Sequence, residues 1–134
     1  MSTPESISTT EANKRLTIRW FDEVWNKARR EAIYEMFAPA AVLHDGAKEL
    51  RGPDEFAQDY DAFRARFSDF SVQPLVTLAE GDLAAIHWRA EFTETATGKR
   101  LHVTGTSIGR CQNGQILEAW QNWDQATLAA QLAP

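Results

Sequence analysis

The sequence is poor in the residues that metal, redox and disulfide chemistry need. It has one cysteine, Cys111, and three histidines in 134 residues. A single cysteine excludes an internal disulfide and leaves a cysteine-based metal site without partners. His44, His87 and His102 are scattered, at no spacing expected of a zinc centre, so no metal is expected. No apolar run approaches the ~20 residues of a membrane-spanning helix, and the first residues lack a basic-then-apolar leader pattern. The expected location is therefore cytoplasmic, with no membrane partner. Basic residues are in the minority, 14 Lys and Arg against 19 Asp and Glu, and they form no block. A formal charge of -5 argues against nucleic acid as a partner. Glycines are few, and Gly105 and Gly109 stand isolated in an apparent strand, so there is no phosphate-cradling loop. No nucleophile-elbow motif supports a Ser/His/Asp triad.

What remains is the composition of an ordinary globular chain, 43% apolar and 25% charged, of a length that suits one domain. Residues 1–8 are polar and patternless and read as a tail, leaving 9–134 as the domain. Ser8 and Glu11 fit a capping box that opens a helix. Leu16, Phe21, Val24 and Trp25 follow at helical spacing, widened by Ile18 and Trp20. A short second helix near Arg29–Phe37 is stopped by Pro39, and Ala41–Asp45 reads as a short strand. Gly52-Pro53-Asp54 restarts a helix with the stripe Phe56, Tyr60, Phe63 and Phe67. From Ser71 the period becomes strand-like, over about 71–79, 83–95, 100–111 and 115–123. Asn113-Gly114 is a strong hairpin signal, and a closing helix is expected over Asp124–Leu132. Helices followed by an antiparallel meander give an α+β fold.

The final strand is unusual. Ile116 to Asp124 mixes large aromatics with Glu118, Asn122 and Asp124, and polar groups on such a strand point to a cavity or to water. Among the aromatics, Trp20, Trp88 and Trp120 are candidate walls for a hydrophobic ligand.

The succession of helix, helix, strand, Gly-Pro helix, then Glu80-Gly81-Asp82 with Ile86-His87-Trp88-Arg89, then Asn113-Gly114-Gln115-Ile116-Leu117-Glu118-Ala119-Trp120 with Asp124 closely resembles the SnoaL-like polyketide cyclase group. That group sits in the nuclear transport factor two-like superfamily, with ketosteroid isomerase and limonene epoxide hydrolase. The likeness runs from about Thr10 to Leu132. It implies a cone, in which a strongly bent, mostly antiparallel sheet wraps a central pocket closed by the N-terminal helices. It also implies a homodimer, no cofactor, and acid/base chemistry on a small organic substrate, either cyclisation, isomerisation, dehydration or hydrolysis. The alternative is a binding or scaffold domain of the same fold.

Candidate residues follow from that resemblance. Asp45 matches the stretch carrying the proton-shuttling aspartate of ketosteroid isomerase, and a carboxylate held in an apolar pocket moves protons near neutral pH. The isomerase's tyrosine and proton-donating acid would fall at about Phe21 and Thr106, which disfavours that reaction. Asp124 resembles the acid/base aspartate of the cyclases, though it also suits the N-cap of the last helix. His44 could work beside either acid. Arg89-Ala90-Glu91 resembles the Arg-x-Asp of the epoxide hydrolase, whose second acid would fall near Asn122, an amide that cannot transfer a proton. The alternation Ile86, Trp88, Ala90, Phe92 places Arg89 and Glu91 on the other face. The catalytic set is thus Asp45, Asp124 and His44, and the substrate-binding set Trp20, Trp88, His102, Trp120 and Asn122. A cavity of a few hundred cubic ångströms is expected. Leu75, Leu101, Val103 and Trp123 are read as an outer apolar face that would pair two copies through their sheets.

Overall fold

The computed structural model describes residues 9–134. Helix α1 (Thr9–Trp20) opens the chain and passes directly into a π-helical segment, Phe21–Asn26. Both carry the apolar stripe expected of them, with Leu16, Trp20, Phe21 and Val24 buried. The Ser8 cap lies outside the described residues. Two polar side chains on the buried side of α1 are satisfied: Asn13 donates to the Gly81 carbonyl at 3.4 Å, and Thr17 to the Asn13 carbonyl at 2.9 Å. The π-helical segment ends on Asn26, whose amide clamps the Val72 backbone. It donates to the Val72 carbonyl at 3.0 Å and accepts from the Val72 N–H at 2.6 Å. One side chain thereby imitates a strand neighbour and fixes the helical layer to the sheet.

Helix α2 (Glu31–Met36) ends before Pro39, because the chain is already extended at Phe37. Strand β1 (Phe37–Asp45) is accordingly longer than the sequence suggests, and it pairs with a short strand, β2 (Lys48–Arg51), that the sequence pattern does not reveal. Helix α3 (Gly52–Arg66) begins with Pro53 in its first turn, as expected, and buries Phe56, Ala57 and Tyr60. Four long strands follow: β3 (Phe67–Glu80), β4 (Leu83–Glu94), β5 (Arg100–Gln112) and β6 (Gln115–Trp123). The Asn113-Gly114 turn joins β5 to β6 with both residues at positive φ. Helix α4 (Gln125–Leu132) closes the chain and packs on β5.

The six strands form one curved, open sheet in the order β2-β1-β6-β5-β4-β3. All neighbours are antiparallel except β1 and β6, which run parallel. That seam joins two strands far apart in sequence, so the N-terminal and C-terminal parts of the domain meet in the middle of the sheet. The helices lie on the concave face. On β4 the buried set is Ile86, Trp88, Ala90 and Phe92, as the alternation predicts. On β5 it is Leu101, Val103 and Cys111. Leu101 and Val103 therefore belong to the concave core and not to the outer face assigned to them from sequence. Among the described residues no helix is long and apolar enough to cross a membrane.

Candidate functional site

Between the concave face and the helical layer lies a cavity of about 120 Å³. Part of its wall is aromatic. Trp25 anchors it, with ring centroids 4.9 Å from Tyr60, 5.8 Å from Phe63 and 5.3 Å from Phe70. Another part is polar and brings together Asp45, Lys48, Asp59, Gln121 and Trp123. A second space of about 40 Å³ adjoins it, and Phe21, Leu43, Phe56 and Gln121 line both. The cavity is smaller than the few hundred cubic ångströms expected.

Strand register builds the polar wall. Lys48 of β2 lies opposite Asp45 of β1, Asp45 opposite Gln121 of β6, and Gln121 opposite Ser107 of β5. Four strands thus contribute one row of residues on one face of the pleat. Hydrogen bonds run along the row. The Trp88 indole N–H donates to Ser107 Oγ at 3.1 Å, Ser107 Oγ contacts Gln121 Oε1 at 3.2 Å, and Gln121 Nε2 lies 3.5 Å from Asp45 Oδ2. At the other end Lys48 Nζ donates to Asp59 Oδ1 of α3 at 2.9 Å.

Burial pushes the Asp45 carboxyl above the usual aspartate range, and Asp59 adds to the rise. The Lys48 ammonium and the donors on Trp123 and Gln121 oppose it without cancelling it. The hydrogen bond to Asp59 raises Lys48, holding it charged. Tyr60, also on the wall, donates its hydroxyl to the Val24 carbonyl at 2.7 Å. Cys111 is fully buried, and burial pushes its thiol up to about 11, so it supplies no thiolate at neutral pH. Among the described residues no group of His, Cys, Asp and Glu could hold a metal ion.

The residues singled out from sequence divide between the two faces of the sheet. Asp45 and Trp88 line the cavity, and Trp20 lines the smaller compartment, packed 5.1 Å from Phe56. His44 turns outward. Its Nε2 meets Glu118 Oε2 at 2.7 Å, its Nδ1 meets Glu49 Oε1 at 3.3 Å, and its ring stacks on Trp120 at 5.7 Å. His102 and Asn122 are exposed and, with Trp120, line none of these cavities. Asp124 is the N-cap of α4, accepting from the Thr127 N–H at 3.0 Å and the Thr127 hydroxyl at 2.6 Å. These bonds hold its carboxyl below the usual range. Arg89 and Glu91 pair with each other at 3.8 Å, and neither lines the cavity. Thr106 is exposed beside His87, while its neighbours Gly105 and Ser107 face inward.

On β6 a bulge explains this division. Cys111 pairs with Ile116 and Arg110 with Glu118, so Leu117 is an extra residue in β6. Each extra residue exchanges the faces of the strand beyond it. Ile116 is buried, and uninterrupted alternation from it would turn Glu118, Trp120 and Asn122 inward. The bulge turns Ala119, Gln121 and Trp123 inward instead, and this also removes Trp123 from the outer face proposed for it. Lys48 and Asp59 escaped the sequence reading because a four-residue strand and a helix face carry no periodic signal. Among the described residues the large apolar side chains exposed on the strands are Leu75, Val76, Leu78 and Ile108.

Comparison with known proteins agrees with this architecture. A family model for the SnoaL-like domain matches residues 17–119. A candidate SnoaL-like polyketide cyclase from Jannaschia sp. CCS1 superposes with a TM-score of 0.85 at 16% identity, covering 98% of this chain and 100% of that one. Wild-type IdmH, a candidate polyketide cyclase from Streptomyces antibioticus, gives 0.78 at 26% identity over 89% of this chain and 97% of that one. A protein of ketosteroid isomerase-like fold from Catenulispora acidiphila, solved in complex with trimethylamine, gives 0.78 at 16% identity, covering 97% and 93%. No curated protein shows significant similarity.

Proposed function

The chain belongs to the SnoaL-like domain family, and from that premise we propose that it is an acid/base enzyme acting without a cofactor on a small, largely apolar organic molecule. One observation carries this reading: a half-buried carboxylate, Asp45, stands on the wall of an aromatic cavity with its proton affinity raised by burial. Such a carboxyl matches weakly acidic substrate groups better than a solvated one, which favours proton transfer. Lys48 beside it offers positive charge to an oxygen that becomes negative as the proton leaves; an ammonium has three N–H donors and the Asp59 contact uses one. Cyclisation, isomerisation, dehydration and hydrolysis all fit this pair, and the candidate polyketide cyclases among the structural relatives favour the first. Asp124 and His44, engaged in a helix cap and an outer-face cluster, are assigned no step.

A homodimer formed through the convex face is part of the same proposal, supported by exposed Val76, Leu78 and Ile108. A ligand-binding domain without chemistry is the second reading, favoured by the Tyr60 hydroxyl being committed to a backbone carbonyl. The deciding experiment is a metabolite pull-down with the whole protein, followed by turnover of the recovered compound. Asp45→Asn should abolish turnover and leave binding nearly intact. Full turnover by that variant would remove Asp45 from the mechanism.

A further inference from the structure

We propose that Gln121 is a positioning residue, its side-chain amide held in one orientation by a one-way hydrogen-bond chain from Trp88 through Ser107, so that an N–H is always aimed at Asp45. This rests on the reading of Asp45 as the reacting carboxylate, and it extends the working apparatus across four strands.

The direction of the chain follows from its first member. An indole N–H can only donate. Ser107 Oγ therefore accepts from Trp88 Nε1 at 3.1 Å, and its own proton is free to go to Gln121 Oε1 at 3.2 Å. With its oxygen held by Ser107, the Gln121 amide must turn Nε2 towards Asp45 Oδ2, at 3.5 Å. A flipped amide would set its carbonyl oxygen against the carboxylate and take from the Ser107 proton the acceptor it has in Gln121 Oε1. The last link is long, as catalytic hydrogen bonds often are before a ligand tightens them. Trp88 itself is fixed: it is buried and its ring lies on Gly105, where no side chain intervenes. A rigid donor at one end of the row thus dictates what the carboxylate meets at the other.

The chemical consequence is selective support for the ionised carboxylate. Gln121 and Trp123 both donate to Asp45, opposing the effect of burial. The charged groups facing Asp45 are Lys48 from β2 and Asp59 from α3, and neither belongs to the chain. Without Ser107 the amide can turn its oxygen to Asp45, which favours the protonated acid.

The test is a carboxyl ¹³C titration of Asp45 in the whole protein without ligand, its resonance assigned by Asp45→Asn. Ser107→Ala and Trp88→Phe, neither of which touches Asp45, should each move the Asp45 midpoint upward by about half a pH unit or more, while Ser107→Thr, which keeps the hydroxyl, should stay near the parent. In the parent, the Trp88 indole N–H resonance should follow the Asp45 titration, and it should cease to do so in Ser107→Ala. An unmoved midpoint in folded Ser107→Ala overturns the proposal. If that variant does not fold, an indole resonance that ignores the Asp45 titration in the parent overturns it equally. A shifted midpoint with no turnover would keep the relay and remove the enzyme reading. Loss of turnover in Asp45→Asn with an unmoved midpoint in Ser107→Ala would do the reverse.

Discussion

Trp88 lies on Gly105, its cross-strand partner, so closely that a Cβ built on the glycine would stand 2.3 Å from Trp88 Cζ2. The absent side chain is what lets the indole lie flat on β5 and aim its N–H at Ser107. Gly105→Ala should push the ring off the strand, costing about 1–3 kcal/mol of stability through overpacking. Urea unfolding followed by tryptophan fluorescence would measure this, and the Trp88 indole resonance should move. Unchanged stability together with an unchanged resonance would contradict the contact.

Asp45 should leave a signature in the pH dependence of stability. Its folded-state pKa is raised above the unfolded value near 3.8, so the folded protein holds this proton more tightly. The associated stability is fully present below the unfolded value and is lost as the pH rises through the folded one. Asp45→Asn removes that loss. The variant should therefore gain stability relative to the parent as the pH rises from about 3 to 7, read as a difference in thermal midpoints. A constant difference would show that the carboxyl titrates as it does in the unfolded chain.

Asp124 should behave in the opposite sense. Its bonds to Thr127 lower the folded-state pKa, so its contribution is present above the unfolded value and disappears as the pH falls through the folded one. Asp124→Ala should lower the thermal midpoint by a few degrees at neutral pH, less in acid, and leave ligand binding alone. Loss of turnover with unchanged stability would return Asp124 to the chemistry.

The two tryptophans on neighbouring strands should separate cleanly in binding. Trp88→Ala should weaken the recovered ligand by about 1–3 kcal/mol, as expected for an aromatic wall, while Trp120→Ala should leave affinity unchanged. Isothermal titration would show whether both matter, which would require a ligand contact on the convex face.

Assembly can be tested on that face. Leu78→Asp and Trp120→Glu should convert a dimer into monomers at micromolar concentration in sedimentation velocity. An interface of roughly 1,500 Å² does not tolerate a buried unpaired charge. A monomeric parent would dismiss the dimer.

Much of the fold was legible in the sequence. The Asn113-Gly114 turn, the Pro53 helix start and the alternation Ile86, Trp88, Ala90, Phe92 each carry a local physical cause, and each appears where expected. The site was legible only in part. Asp45 and Trp88 do line the cavity, the first reached through the family resemblance and the second through the regular phase of β4. Gln121 and Trp123 were missed because the two tryptophans of β6 are three residues apart, so strict alternation must send them to opposite faces. The sequence does not say which one turns in. The bulge at Leu117 decides it, and a bulge depends on how two strands pair rather than on any residue's preference.

That bulge has a bearing on how the cavity tolerates a change in chain length. Arg110 already pairs with Glu118 and Cys111 with Ile116, so removing Leu117 would restore the uninterrupted pleat and leave Ala119, Gln121 and Trp123 facing inward. A deletion at the bulge is thus silent for the cavity, whereas the same deletion between Glu118 and Gln121, with the pairing before it kept, would turn Asn122 inward in place of Gln121. The parity of the strand beyond Leu117, more than its length, therefore decides what faces the cavity.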